Sequence, residues 1–259
     1  MPRRFDRWTV ALALIAGLTA IGCGATEPAA EAPTVEEPAS QMSTGLDRGV
    51  LADAARPEEE VAQDEYRKAV DVYEFFGVEP GMTVADVWPG AGYNTHLLSR
   101  LTGDSGTVYA VMGFYATGSF ATLDALTERI EVSGLSNVQI VTDIPDVPAG
   151  SLDVAVAVRN YHDAEQYGNG RQATVAQLLG VVKSGGIVGI VESATPHEGW
   201  HEDTHRLNEQ TVIDEFTSGG FELAGSSDIL RNPDDDHSTT GFDDGRYKTD
   251  RYVLKFRKP

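Results

Sequence analysis

The chain has 259 residues, 41% of them hydrophobic, and a formal charge of −20, which is enough apolar material for one full-sized domain. So acidic a surface repels phosphate backbones and anionic membrane faces, which excludes nucleic acid as a natural partner; it reads as a solvated surface rather than a dedicated cation site. Cys23 is the only cysteine, so no intramolecular disulfide can form.

Arg3, Arg4 and Arg7 precede an apolar stretch from Val10 to Ile21. The stretch is shorter than the ~20 residues of a membrane-spanning helix and reads as an export signal over residues 1–22. Ala20-Ile21-Gly22-Cys23 closes it and resembles a bacterial lipobox, which implies acylation of the Cys23 thiol and a lipid anchor in the cell envelope. From 23 to 45 the sequence is rich in Ala, Pro and Glu and lacks aromatics, so it reads as a disordered tether, with the folded domain over 46–259. A helix is predicted from Pro57, with Glu58 to Glu60 complementing its positive end, to Phe76.

Beyond Gly77, short apolar runs alternate with helical patterns. Strands are predicted over Thr83–Val87, Thr107–Met112, Val138–Val141, Asp153–Val158, Ile187–Val191, Glu222–Ile229 and Tyr247–Phe256. Helices are predicted over Tyr93–Leu101, Phe120–Ser133, Gln166–Val182 and Thr204–Ser218. Runs such as "VAVAV" and "IVGIV" suit strands buried on both faces, so the fold class is α/β, a mostly parallel sheet with helices on both sides. Only the loop "RNPDDDHSTTGFDDG" separates the last two strands, which predicts an antiparallel hairpin at the end.

The first strand runs into "DVWPGAGYNT", a glycine turn followed by a helix, which places backbone N–H groups and the Asp86 carboxylate at the carboxyl edge of the sheet. A dinucleotide fingerprint needs a third glycine at position 95, where the chain has Thr95. The stretches "VADVWPGAGYNT", "VTDIPD", "LDVAVAVRNYHD" and "LLGVVKSGGIVGIVE" together resemble the class I S-adenosylmethionine-dependent methyltransferases, with a Rossmann-like seven-stranded sheet, from about Val61 to the C-terminus. The likeness is strongest to a little-characterised exported branch with a Trp-Pro-Gly turn.

That resemblance implies S-adenosylmethionine as cofactor and a small molecule or envelope component as methyl acceptor. Asp86 would bind the methionine amino group, Gly90 and Gly92 would let the backbone approach, Asp143 would accept the adenine amino hydrogens and Ile144 would cover the ring. Trp88, Ala91, Tyr93 and Arg159 complete the implied cofactor set, together with Met112, which stands where the family usually has an acidic residue for the ribose hydroxyls. Trp88 replaces the first glycine of the family's turn and would either crowd the methionine end or line a substrate pocket.

The fourth strand delivers "RNYHD", in which His162 beside Asp163 is a candidate base, or else a cap for the next helix. Tyr161 is a candidate participant or pocket wall. His197, His201 and His205 recur every four residues, but Pro196 and Gly199 interrupt a helix, so a solvated loop is expected there and no metal is assigned. "NPDDDH" lacks a calcium-loop pattern and reads as a solvated turn. Two other activities remain open: a binding module that kept the fold and lost catalysis, and a metal-dependent hydrolase built on the histidines.

Overall fold

A computed structural model describes residues 45–118, 121–243 and 245–259; the predicted export signal, Cys23, nearly all of the tether and Phe120 lie outside them. The main sheet contains β1 (Thr83–Val87), β2 (Thr107–Val111), β3 (Val138–Val141), β4 (Leu152–Val158), β5 (Val182–Ser193), β8 (Glu222–Ser227) and β9 (Arg251–Arg257). A two-residue pair, β6 (Trp200–His201) and β7 (Arg206–Leu207), stands apart. The helices are α1 (Glu58–Val61), α2 (Asp64–Arg67), α3 (Ala69–Phe76), α4 (Tyr93–Thr102), α5 (Leu123–Ser133), α6 (Arg171–Val181) and α7 (Glu209–Ser218). No helix among the described residues is long and apolar enough to cross a membrane.

Strand order is β3-β2-β1-β4-β5-β9-β8, with every pairing parallel except those of β9, which runs antiparallel to both β5 and β8. The predicted α/β class and C-terminal hairpin are therefore observed. The alternation in β4 explains its apolar run. Val154 and Val156 pack with Tyr73, Phe76, Leu97 and Leu98 on one side, while Ala155 and Ala157 pack with Val175, Leu178 and Phe216 on the other.

Gly189 in β5 lets the Phe76 ring lie directly on the strand, since a Cβ there would fall within contact distance of three ring carbons. Gly189→Ala is expected to cost about 1 to 3 kcal/mol by overpacking. The check is a lower urea midpoint at unchanged slope, and an unshifted midpoint would show that Phe76 yields freely.

The predicted helix from Pro57 to Phe76 is three helices, with a left-handed break at Lys68 (φ 45). The reason is a buried ion pair that the helical pattern does not encode. Arg56 donates to both Asp64 carboxylate oxygens at 2.7 and 2.6 Å, and the Tyr93 hydroxyl donates to Asp64 Oδ1 at 2.7 Å. These bonds pin α2 against the start of α4, so the chain must turn before α3 can lie on the sheet. The helix predicted from Thr204 starts only at Glu209, where the Asn208 side chain accepts the Thr211 N–H at 3.2 Å. Arg206 and Leu207 are extended instead, and Arg206, 1% exposed, reaches Asp235 and two backbone carbonyls. Asp235 thereby corrects the solvated-turn reading of "NPDDDH".

Candidate functional site

The strand order reverses between β1 and β4, and the crevice beyond their carboxyl ends is where open α/β sheets hold ligands. Each strand there ends in a non-glycine residue with a left-handed backbone, Trp88 (φ 58) after β1 and Arg159 (φ 60) after β4. Such conformations cost of order 1 to 3 kcal/mol and persist only when neighbours hold them. Asn160 does so, its Nδ2 donating to the carbonyls of both Val87 and Trp88 at 2.8 Å. A cavity of about 240 Å³ opens beside this clasp, lined in part by Gly90, Asn94, Arg159, His162 and Asp163.

One wall is cationic. The guanidiniums of Arg67, Arg159 and Arg246 lie 5.0, 5.1 and 4.9 Å from the Tyr247 ring centroid. None forms an ion pair with a carboxylate among the described residues. Burial pushes the Tyr247 phenol up, but these guanidiniums outweigh it and leave the phenol below its ordinary value. In a chain of charge −20, this is a local reversal of sign facing a cavity.

The same cavity is lined by His162 and Asp163. His162 Nδ1 donates to Glu192 Oε2 at 2.8 Å, and its ring stacks on Trp200 at 4.4 Å. Burial lowers the imidazole pKa, but Glu192 and then Asp163 outweigh it and raise the group above its ordinary value. The sequence pairs His162 with its neighbour Asp163; the hydrogen-bonded partner is Glu192 on β5, which adjacency could not reveal.

Of the residues singled out in the sequence, Trp88, Gly90, Arg159, His162, Asp163 and His205 line the cavity. The others do not. Asp86 is 0% exposed and takes a hydrogen bond from Thr95 Oγ1 at 2.6 Å; burial raises its carboxyl to about 7. Tyr161 is also 0% exposed and donates to Glu215 at 2.9 Å, so it belongs to the core rather than to the site. The missing Cβ of Gly92 makes room for Leu126 and Arg129, and Tyr93 is held by Asp64, so these two positions serve packing of the turn, while Ala91 is exposed outside the cavity lining. Asp143 accepts the Ile144 N–H at 2.8 Å while Asp146 accepts the Asp143 N–H at 3.0 Å, which commits both carboxylates to their own turn. Ile144 and Met112 are buried in the core.

The indole of Trp88, 5% exposed, packs over Gly113 and against Phe114 at 5.1 Å between centroids. It covers the carboxyl end of β2, where the family resemblance places the ribose. Gly90, by contrast, has φ 57 and open space where a Cβ would stand, so its backbone is accessible. The three spaced histidines do not share a helix. His197 and His201 lie beside one another at 5.4 Å between rings, whereas His205 turns (φ 51) toward His162 at 5.3 Å.

No protein-family model and no curated protein matches the sequence. Among solved structures the chain is similar to a SAM dependent methyltransferase from Aquifex aeolicus, at 18% identity and a TM-score of 0.58, covering 80% of this chain and 95% of that one. It is also similar to the [4+2]-cyclase SpnF, at 18% identity and a TM-score of 0.57, covering 76% of this chain and 82% of that one. A third is Burkholderia thailandensis 1,6-didemethyltoxoflavin-N1-methyltransferase with bound 1,6-didemethyltoxoflavin and S-adenosylhomocysteine, at 15% identity and a TM-score of 0.50, covering 77% and 79%. The fold is thus the Rossmann-like, seven-stranded methyltransferase fold. One of these proteins is named a cyclase, so the fold alone does not fix the reaction.

S-adenosylmethionine fits the residues at one end. The open Gly90 backbone and the guanidinium wall suit its methionine carboxylate. The nucleoside end does not fit as the side chains stand, because Trp88 covers Gly113, Met112 offers no carboxylate and Asp143 is engaged in its own turn. The cavity of about 240 Å³ is also smaller than the ~300 to 1,000 Å³ of typical ligand clefts.

Proposed function

We propose that the chain is an exported, lipid-anchored enzyme that acts on a small organic anion at the cavity between β1 and β4, with methyl transfer from S-adenosylmethionine as its reaction class. The observation that carries this reading is the set of three guanidiniums, Arg67, Arg159 and Arg246, facing the switch-point cavity without carboxylate partners among the described residues. The likeness of the fold to proteins named as methyltransferases supports the reaction class. Entry of the nucleoside requires the Trp88 indole to leave Gly113. The leader and the Cys23 motif support the envelope location, and incorporation of labelled fatty acid that Cys23→Ser abolishes is the expected result there.

Trp88 itself favours a second reading, in which the fold is kept, the nucleoside groove is closed, and the cavity holds an anion without methyl transfer. Titration of the full chain with S-adenosylhomocysteine in the presence of a chelator separates the two. Methyl transfer predicts saturable binding below millimolar ligand, a change in tryptophan fluorescence as the indole moves, and at least tenfold weaker binding in Arg159→Ala. Silence up to millimolar ligand assigns the chain to the second reading.

A further inference from the structure

His162, Asp163 and His205 each present one ligand atom at the cavity, and these atoms all lie within 4.8 Å of one another. We infer that they form a site for a single divalent transition-metal ion. The inference goes beyond methyl transfer and stands whether or not a nucleoside enters the cavity.

The orientation of the three side chains carries the argument. His162 Nδ1 is bonded to Glu192, and His205 Nδ1 donates to the Glu202 carbonyl at 2.8 Å. Both imidazoles therefore direct Nε2 at the shared space, each with its outer nitrogen tied to a carboxylate or a carbonyl. That is the outer-shell arrangement of metal-binding histidines, which fixes tautomer and ring angle and raises ligand basicity. Trp200 stacks on the His162 ring at 4.4 Å, and Phe242 lies against the His205 ring at 4.5 Å.

Asp163 supplies the third donor. Its Oδ1 is buried, lies 3.3 Å from His162 Nε2, and has no hydrogen-bond partner among the described residues. A buried acceptor without a donor is destabilising, and a cation satisfies it. Asp163 and Glu192 are 8% and 0% exposed, and no lysine or arginine pairs with either among the described residues. One imidazole between two buried carboxylates leaves negative charge that a dication neutralises.

Two nitrogens and one oxygen suit zinc, iron, cobalt or nickel rather than magnesium or calcium, which prefer oxygen. Ligand distances of about 2.0 to 2.2 Å require the donors to draw in by less than an ångström or so from their present spacing. Three protein ligands leave coordination positions open toward the cavity, which Arg67, Arg159 and Arg246 also line. The site would thus take an organic anion that gives one oxygen to the metal and its carboxylate or phosphate to the arginines.

The test uses untagged full chain carrying Cys23→Ser, so that the single thiol does not compete. Titration with zinc chloride is expected to show one equivalent bound at micromolar affinity or tighter, and cobalt(II) to give visible absorption bands that zinc displaces. His205→Ala and the nearly isosteric Asp163→Asn should each weaken zinc binding at least tenfold and remove the metal-induced rise in melting temperature. His197→Ala and His201→Ala should bind as the parent does. Absence of saturable zinc binding overturns the inference. So does binding that survives both His205→Ala and Asp163→Asn, or that is lost in His197→Ala or His201→Ala instead.

Discussion

Arg206→Met is expected to lower stability by about 3 to 5 kcal/mol, the usual cost of removing one partner of a buried ion pair. Arg206 is 1% exposed, its guanidinium bonds Asp235 at 2.8 and 3.1 Å, and it also donates to the Ala194 and Thr239 carbonyls at 2.9 and 3.0 Å. Methionine fills most of the volume but leaves a carboxylate and two carbonyls without donors. Asp235 in turn accepts the Asp250 and His237 backbone N–H groups at 2.7 and 3.2 Å, so the pair organises the loop between β8 and β9. That loop contributes Phe242, Arg246 and Tyr247 to the cavity. The loss should therefore appear twice, as a lower urea midpoint and as weaker anion binding at the guanidinium wall. A midpoint within about 1 kcal/mol of the parent, with anion affinity intact, would show that the loop folds without the pair.

The same pair gives an acid limb to stability. Burial raises the Asp235 carboxyl, but Arg206 and the backbone N–H groups outweigh it, leaving its pKa below the ordinary value. A depressed folded pKa stabilises above the unfolded value, and that contribution fades as pH falls toward the folded value. Arg206→Met should therefore lose part of its deficit in acid.

What the sequence revealed and what it hid divide along a physical line. Strand β4 was legible because Val and Ala run without interruption from Val154 to Val158, where both faces are covered. The glycine turn was legible because Gly90 needs a positive φ. Hidden features are contacts between distant segments. Glu192 under His162 is thirty positions away, and Asn160 reaches back more than seventy to hold two strained turns. Neither leaves a periodicity. Trp88 lines the cavity, one of the two placements open in the sequence, but an aromatic side chain at a left-handed position gives no local signal of where its ring lies; the ring's resting place depends on Gly113 at the end of another strand. His205 was visible as one of three spaced histidines expected in a solvated loop, but the spacing does not show which of them enters the cavity. The short turn at 202–204 instead sends it alone toward β4's end.

The carboxyl of Asp86 makes the second large effect, and it runs against the usual direction for acids. The group is fully buried, and burial lifts it to about 7 despite the hydrogen bond from Thr95. In the unfolded chain it ionises near pH 4. Between pH 4 and 7 the folded state holds a proton that the unfolded state has lost, so stability falls as pH rises, by up to about 1.4 kcal/mol per pH unit from this group. Above pH 7 both states are ionised and the penalty is constant. Asp86→Asn keeps an acceptor for the Thr95 hydroxyl and cannot ionise. The variant should match the parent near pH 4 and gain on it steadily, reaching an advantage on the order of 3 to 4 kcal/mol by pH 8. Comparing urea unfolding of the two proteins at matched pH cancels the titration of every other carboxylate. A difference that stays flat from pH 4 to 8 would mean that Asp86 is ionised in the folded chain throughout, and therefore that a cation or a water path reaches it from the cavity beside Gly90.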